Sequence, residues 1–239
     1  ASGTGNIDTT SFSLVISEGS TSLTANYPKS VSKTGISFNE NIISSTTTAN
    51  ESRGYTNIFT ADMDNNGLID LVYDSASYII IYLKQDDSTY TSTKINISND
   101  VVIEELVDVD NDGDIDITAF RKKYSNSYTV FQLINLGTAS SFTTKDLFTA
   151  GYTYDIKYAD VDNDGDLDFI RASGQTISVY KLDGTSYNLT WSQNYQYSYT
   201  IYEIDVKDID NDGFLDFVTG GAGYVLWFKN DGTGTFTYP

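Results

Sequence analysis

Four nine-residue stretches bring together the side chains of this chain that could do chemistry. They are Asp62-Met63-Asp64-Asn65-Asn66-Gly67-Leu68-Ile69-Asp70, Asp108-Val109-Asp110-Asn111-Asp112-Gly113-Asp114-Ile115-Asp116, Asp160-Val161-Asp162-Asn163-Asp164-Gly165-Asp166-Leu167-Asp168 and Asp208-Ile209-Asp210-Asn211-Asp212-Gly213-Phe214-Leu215-Asp216. Carboxylates crowded in this way repel one another unless a cation sits between them. Alternating acids, with a glycine at the sixth position to turn the chain, make an oxygen cage for a hard ion of calcium size. The spacing assigns side-chain ligands to positions one, three, five and nine. These are Asp62, Asp64, Asn66 and Asp70; Asp108, Asp110, Asp112 and Asp116; Asp160, Asp162, Asp164 and Asp168; Asp208, Asp210, Asp212 and Asp216. Position seven (Leu68, Asp114, Asp166, Phe214) varies in side chain and is expected to offer its backbone carbonyl. Position eight is always Ile or Leu (Ile69, Ile115, Leu167, Leu215) and reads as an anchor in the core. The glycine is expected in a left-handed conformation that a Cβ would penalise.

An EF-hand starts with the same acids but needs a bidentate Glu at position twelve and helices on either side. Position twelve here is Tyr73, Ala119, Arg171 or Thr219, and the residues that follow each stretch, such as Leu71-Val72-Tyr73, read as strands. Magnesium prefers tight octahedral geometry and its own waters. Transition metals are disfavoured because the chain has no His and no Cys. The expectation is about four Ca2+ ions, one for each strand–loop–strand site.

The first aspartate recurs at 62, 108, 160 and 208, a spacing of roughly 50 residues that suits one four-stranded propeller blade. Each period reads as a strand before the loop, a second after it, a third such as Tyr78–Tyr82 or Tyr224–Phe228, a polar turn, and an outer strand. No segment keeps a helical period. The predicted fold is all-β, a single β-propeller over 1–239. Its calcium-loop blades run over 55–100, 101–152, 153–200 and 201–239, with 1–54 as a degenerate or closing blade. Five blades fit best; four blades closed by a strand at 36–43, and part of a larger propeller, stay open.

The chain carries 33 acidic and 14 basic residues, for a net charge of −19. Roughly half of the acids lie in the four stretches, so much of the charge belongs to metal sites. The Lys and Arg form no long basic stripe, which argues against nucleic acid as a partner. No apolar run is long enough to insert in a membrane. Without histidine a Ser-His-Asp or Cys-His centre cannot exist. A carboxylate pair for glycoside hydrolysis would have to come from few Glu residues, among them Glu104, Glu105 and Glu203. The expectation is therefore a non-catalytic binding module. Its 19 Tyr, 12 Phe and 2 Trp offer faces for sugar rings, and Tyr195, Tyr197, Tyr199 and Tyr202 form the densest run. The same aromatics at period two are also ordinary packing residues of strands. Extracellular calcium modules fill at about 10⁻⁴ to 10⁻³ M, so an extracellular or cell-surface location is expected.

The four D-x-D-x-(D/N)-G-x-x-D loops, together with strand endings such as Trp227-Phe228-Lys229-Asn230-Asp231-Gly232, resemble the FG-GAP / VCBS repeat family, which includes the integrin α-chain propellers. The resemblance covers about 55–239. It implies a propeller whose calcium loops clamp blade strands and seldom touch the ligand. It also implies kinship with cell-adhesion modules, propeller lectins and accessory domains of polysaccharide-degrading enzymes. The implied partner is a glycan or an extracellular protein. Asn66 departs from the pattern by leaving the first loop three carboxylates.

Overall fold

Alternation at period two dictates the strands. In Tyr78–Lys84, Ile79, Ile81 and Leu83 are buried on one face while Tyr78, Ile80, Tyr82 and Lys84 are half-buried on the other. The computed structural model describes residues 57–238 apart from 76, 87–88, 98–99, 125–126, 152, 196–199 and 222. The chain divides into two compact units, Ala1–Ser52 and Arg53–Pro239, and the fold described is that of the second. The strands expected in 1–54, and with them the fifth or closing blade, lie outside the described residues.

Among the described residues, sixteen strands form four antiparallel sheets, each in chain order. The first sheet holds β1 (Ile58–Ala61), β2 (Asp70–Ser75), β3 (Tyr78–Lys84) and β4 (Tyr90–Asn96). The second holds β5 (Val101–Val107), β6 (Asp116–Tyr124), β7 (Ser127–Asn135) and β8 (Phe142–Ala150). The third holds β9 (Asp155–Ala159), β10 (Asp168–Ser173), β11 (Thr176–Asp183) and β12 (Ser186–Asn194). The fourth holds β13 (Glu203–Lys207), β14 (Asp216–Gly221), β15 (Tyr224–Asn230) and β16 (Phe236–Thr237). No helix occurs among the described residues.

The sheets pack on one another in the order of the chain. β1 and β2 meet β5, β5 meets β9, and β9 and β10 meet β13. Four-stranded meanders packed in series make the fold propeller-like. The three interfaces have their own cores. Between the first and second sheets the core is mainly aliphatic, with Ile79, Ile81, Ile103, Ile117 and Leu133 around Phe131. Between the second and third, Val130, Ile156 and Phe169 pack with Phe148, Tyr158, Tyr180 and Tyr187. Between the third and fourth, Phe217, Phe228 and Phe236 gather round Trp191. Phe217 stacks on Phe228 with centroids 4.6 Å apart. Truncating one such buried ring to Ala would cost about 3–5 kcal/mol. Much of the aromatic content therefore holds sheet against sheet.

Candidate metal centres

Every acidic stretch joins the first strand of a sheet to the second. The loops link β1 to β2, β5 to β6, β9 to β10 and β13 to β14, and position nine opens the second strand. The backbone turns with positive φ twice in each loop. Gly67, Gly113, Gly165 and Gly213 have φ between 85° and 95°, as expected for a position that penalises a Cβ. Position four is also left-handed: Asn65, Asn111, Asn163 and Asn211 have φ between 56° and 61°. Asparagine tolerates this region better than other residues with a side chain. The Asn65 side-chain amide donates to the Gly113 carbonyl (3.2 Å) and to Asp114 Oδ1 (2.5 Å). Asn111 donates to the Gly165 carbonyl (3.2 Å). The first loop is thus tied to the second, and the second to the third.

The acids divide the work by position. Position one spans the loop: Asp62, Asp108, Asp160 and Asp208 each accept the N–H of position five on one oxygen and that of the glycine on the other. At position five, Asn66, Asp112, Asp164 and Asp212 each accept the N–H of position seven. Position nine is fully buried in all four loops. Asp70 accepts Met63 N–H (2.8 Å) and Lys84 N–H (2.7 Å), and so pins the loop to the third strand of its sheet. Asp116, Asp168 and Asp216 do the same with Val109 and Asn135, Val161 and Leu182, Ile209 and Asn230. Burial pushes the Asp116 and Asp168 carboxyls up to about 6 against these N–H donors. Asp70 is raised as well, first by burial and further by Asp64 and Asp62. Burial and then the Asp112 charge raise Asp110. A cation held among these acids would favour their ionised form.

Position eight, expected as the core anchor, packs against a hydrophobic core as half-buried Ile115 and Leu215, but not at Ile69. Ile69 is 58% exposed, and Ile115, Leu167 and Leu215 are only half-buried. Position two is more deeply placed in three loops, where Met63, Val109 and Val161 are buried, while Ile209 stays partly exposed. The N–H of position two bonds to position nine in all four loops, so that bond alone does not bury it.

The loops bring carboxylate oxygens within 4.8 Å of one another in four clusters. Three are made by positions one, three and nine: Asp62, Asp64 and Asp70; Asp108, Asp110 and Asp116; Asp160, Asp162 and Asp168. The fourth is Asp208, Asp210 and Asp212, without Asp216. Asp216 Oδ2 instead also accepts the Trp227 indole N–H (3.1 Å). The donor set suits a hard cation, since it is oxygen throughout. Asp162 Oδ1 is buried with no hydrogen-bond partner, as an oxygen reserved for an ion would be. Lysines approach two of the clusters. Lys181 lies 3.0 Å from Asp162. Lys229 donates to Asp210 and to Asp212 (2.8 Å), and its hydrogen bond holds Asp212 below the usual carboxylate range.

Residues 108–171 and 160–219 each match the model of the FG-GAP-like repeat. Both matches begin on the first aspartate of one loop and run through the next loop. Residues 108–219 carry FG-GAP-like repeats. The loop at 62–70 lies outside the matched residues but has the same turns and the same buried aspartate. No curated protein sequence matches the chain. Among solved structures, the chain is similar in fold to a lectin of Agrocybe aegerita described as specifically recognising non-reducing terminal N-acetylglucosamine. The TM-score is 0.55 at 19% identity, over 76% of this chain and 50% of the lectin chain. The chain spans about half the length of that lectin, and the likeness is one of fold.

Two further features lie away from the loops. In the fourth sheet a hollow of about 280 Å³ is lined by Tyr195, Thr200, Ile201, Thr219, Gly221, Tyr224, Leu226 and Tyr238. Tyr224 and Tyr238 are more than half exposed. Of the tyrosine run singled out in the sequence, Tyr195 lines this hollow and Tyr202 packs edge-on against Tyr154 at 5.2 Å. Tyr197 and Tyr199 lie outside the described residues. The second feature is on the first strands of the second and third sheets, where Glu104 and Glu105 lie near Asp155 and Lys157. Lys157 Nζ is 3.4 Å from Asp155, and Glu105 accepts Tyr158 N–H. Burial raises both glutamates, Glu105 to about 7. Hydrophobic spacing gave no sign of either feature, because both depend on which strands become neighbours.

Proposed function

We propose that the chain is a non-catalytic, calcium-stabilised binding module that works outside the cell and takes carbohydrate as its ligand. The observation that carries the reading is the recurrence of one oxygen-only carboxylate cluster at the same joint of every described sheet. Asp62, Asp64, Asn66 and Asp70 in the first loop, and their counterparts in the other three, would hold the ions. Position seven (Leu68, Asp114, Asp166, Phe214) would add its backbone carbonyl. A bound ion would neutralise each loop and fix the first strand of a sheet to the second. At an ion concentration ten times its dissociation constant, each site would add about 1.4 kcal/mol to stability. Millimolar calcium outside cells meets that condition for sites near 10⁻⁴ M, the tight end of the extracellular range; a low-calcium cytosol does not.

The hollow of the fourth sheet supports the choice of ligand. Tyr195, Tyr224 and Tyr238 offer ring faces for a sugar, and Thr200 and Thr219 offer hydroxyls beside them. The lectin with the similar fold favours the same class. The test is a glycan array in millimolar calcium, run beside capture from extracellular-matrix extract. Saccharide hits support the reading. Retention of matrix protein with no saccharide hit would move the module to protein adhesion, and turnover of a polysaccharide would overturn the non-catalytic assignment.

A further inference from the structure

The four loops are alike in sequence but not in what faces them. The residue that precedes the position-nine N–H donor on the third strand is Leu83, Ile134, Lys181 and Lys229 in turn. In the first two sheets this place is aliphatic. In the third, Lys181 reaches Asp162 and also donates to the Thr233 carbonyl. In the fourth, Lys229 contacts two carboxylates of one cluster, Asp210 and Asp212. The same loop has its Asp216 carboxylate engaged by three donors, Ile209 N–H, Asn230 N–H and the Trp227 indole. Asp216 is also the one position-nine acid missing from its cluster.

We infer that Lys229 is a built-in counter-ion of the fourth loop, so that this loop takes calcium last and weakest of the four. The inference rests on the calcium reading above. An ion entering there must displace the ammonium from both carboxylates and recover Asp216 from the indole. The first and second loops have no lysine at the matched place to displace. The third is intermediate, because Lys181 touches one carboxylate and its ammonium has a second partner in the Thr233 carbonyl. The fourth loop thereby keeps part of its charge balance without metal, and its ion would come and go at concentrations where the others stay filled. An exposed ion pair is individually weak, but two pairs together with the diverted aspartate put the fourth ion roughly tenfold behind the others.

Trp227 reports on this loop directly. The full chain is labelled with ¹⁵N-tryptophan, which gives two indole signals, and the Trp227 signal is identified by its loss in Trp227→Phe. Calcium is added while calorimetry follows total uptake. The expected result is that the Trp227 indole moves only after most of the calcium has bound. Lys229→Met should bring that movement to roughly tenfold lower calcium, and Lys94→Met, an exposed lysine of the first sheet, should not. Lys229→Gln serves the same purpose if the methionine variant does not fold. Movement of the Trp227 signal with the earliest calcium, or a titration unchanged by both Lys229 variants, overturns the inference while the calcium reading stands. No calcium uptake by calorimetry removes the calcium reading itself.

Discussion

The side-chain amide of Asn135 donates to the backbone carbonyl of Met63 at 2.8 Å, joining the end of the third strand of one sheet to the acidic loop of the sheet before it. Asn230 repeats the relation on Val161 at 2.7 Å. Asn135 is fully buried, donates also to the Ile115 carbonyl and accepts Ala139 N–H. One side chain thus satisfies backbone groups of two sheets. Asn135→Ala would leave buried polar groups without partners, and should lower stability by about 2–3 kcal/mol in denaturant titration. A loss below about 0.5 kcal/mol would remove this clamp from the account of the fold.

The exchange of roles between positions two and eight in the first loop can be tested directly. Met63 is fully buried and Ile69 is 58% exposed. Met63→Ala should cost about 2–5 kcal/mol. Ile69→Ser should stay within about 0.5 kcal/mol. The reverse order in urea melts would restore position eight as the anchor.

Chelation is the direct test of the calcium reading. Removing ions from four loops would withdraw about 6 kcal/mol at tenfold saturation, comparable to a whole domain's margin. The melting temperature should fall by more than about 10 °C on adding EGTA and return on adding calcium. A melt that ignores chelator would leave the loops as acidic turns only.

Glu105 makes stability depend on pH. Burial raises its carboxyl to about 7 from an ordinary 4.5, against the lowering effect of Lys157 and the Tyr158 N–H. In the folded chain it keeps its proton at pH values where the unfolded chain has released it. Its contribution therefore declines as pH rises from about 4.5 through about 7. The stability of the wild type relative to Glu105→Gln should fall by about 2 kcal/mol between pH 5 and pH 8 in saturating calcium. Parallel curves for the two proteins would show that Glu105 does not titrate in this window.

For the hollow, Tyr224→Ala should weaken any saccharide hit by roughly threefold to tenfold while leaving the melting temperature within about 2 °C of wild type. Unchanged binding would place the ligand elsewhere on the chain.

The local features were legible in the sequence because they depend on residues close together in the chain. A strand shows itself by alternation over a few residues, and a turn by a glycine between acids. The strands before and after each loop therefore fell where Asp62, Asp108, Asp160 and Asp208 placed them, within a few residues of the observed ends. Other features required distant segments to meet. That Asp216 would be taken by Trp227, that Lys229 would face Asp210 and Asp212, and that Asn135 would reach back to Met63 follow from strand register and from sheet packed on sheet. The burial of Met63 in place of Ile69 belongs with these, since it depends on which face of the loop the core covers. Sequence alone determined the kind of cage and its repetition; tertiary structure decided which cages already have a cation of their own. The reason is physical: a carboxylate's spacing is set by its neighbours in the chain, whereas its partners are set by whatever side chains the packed sheets bring to it.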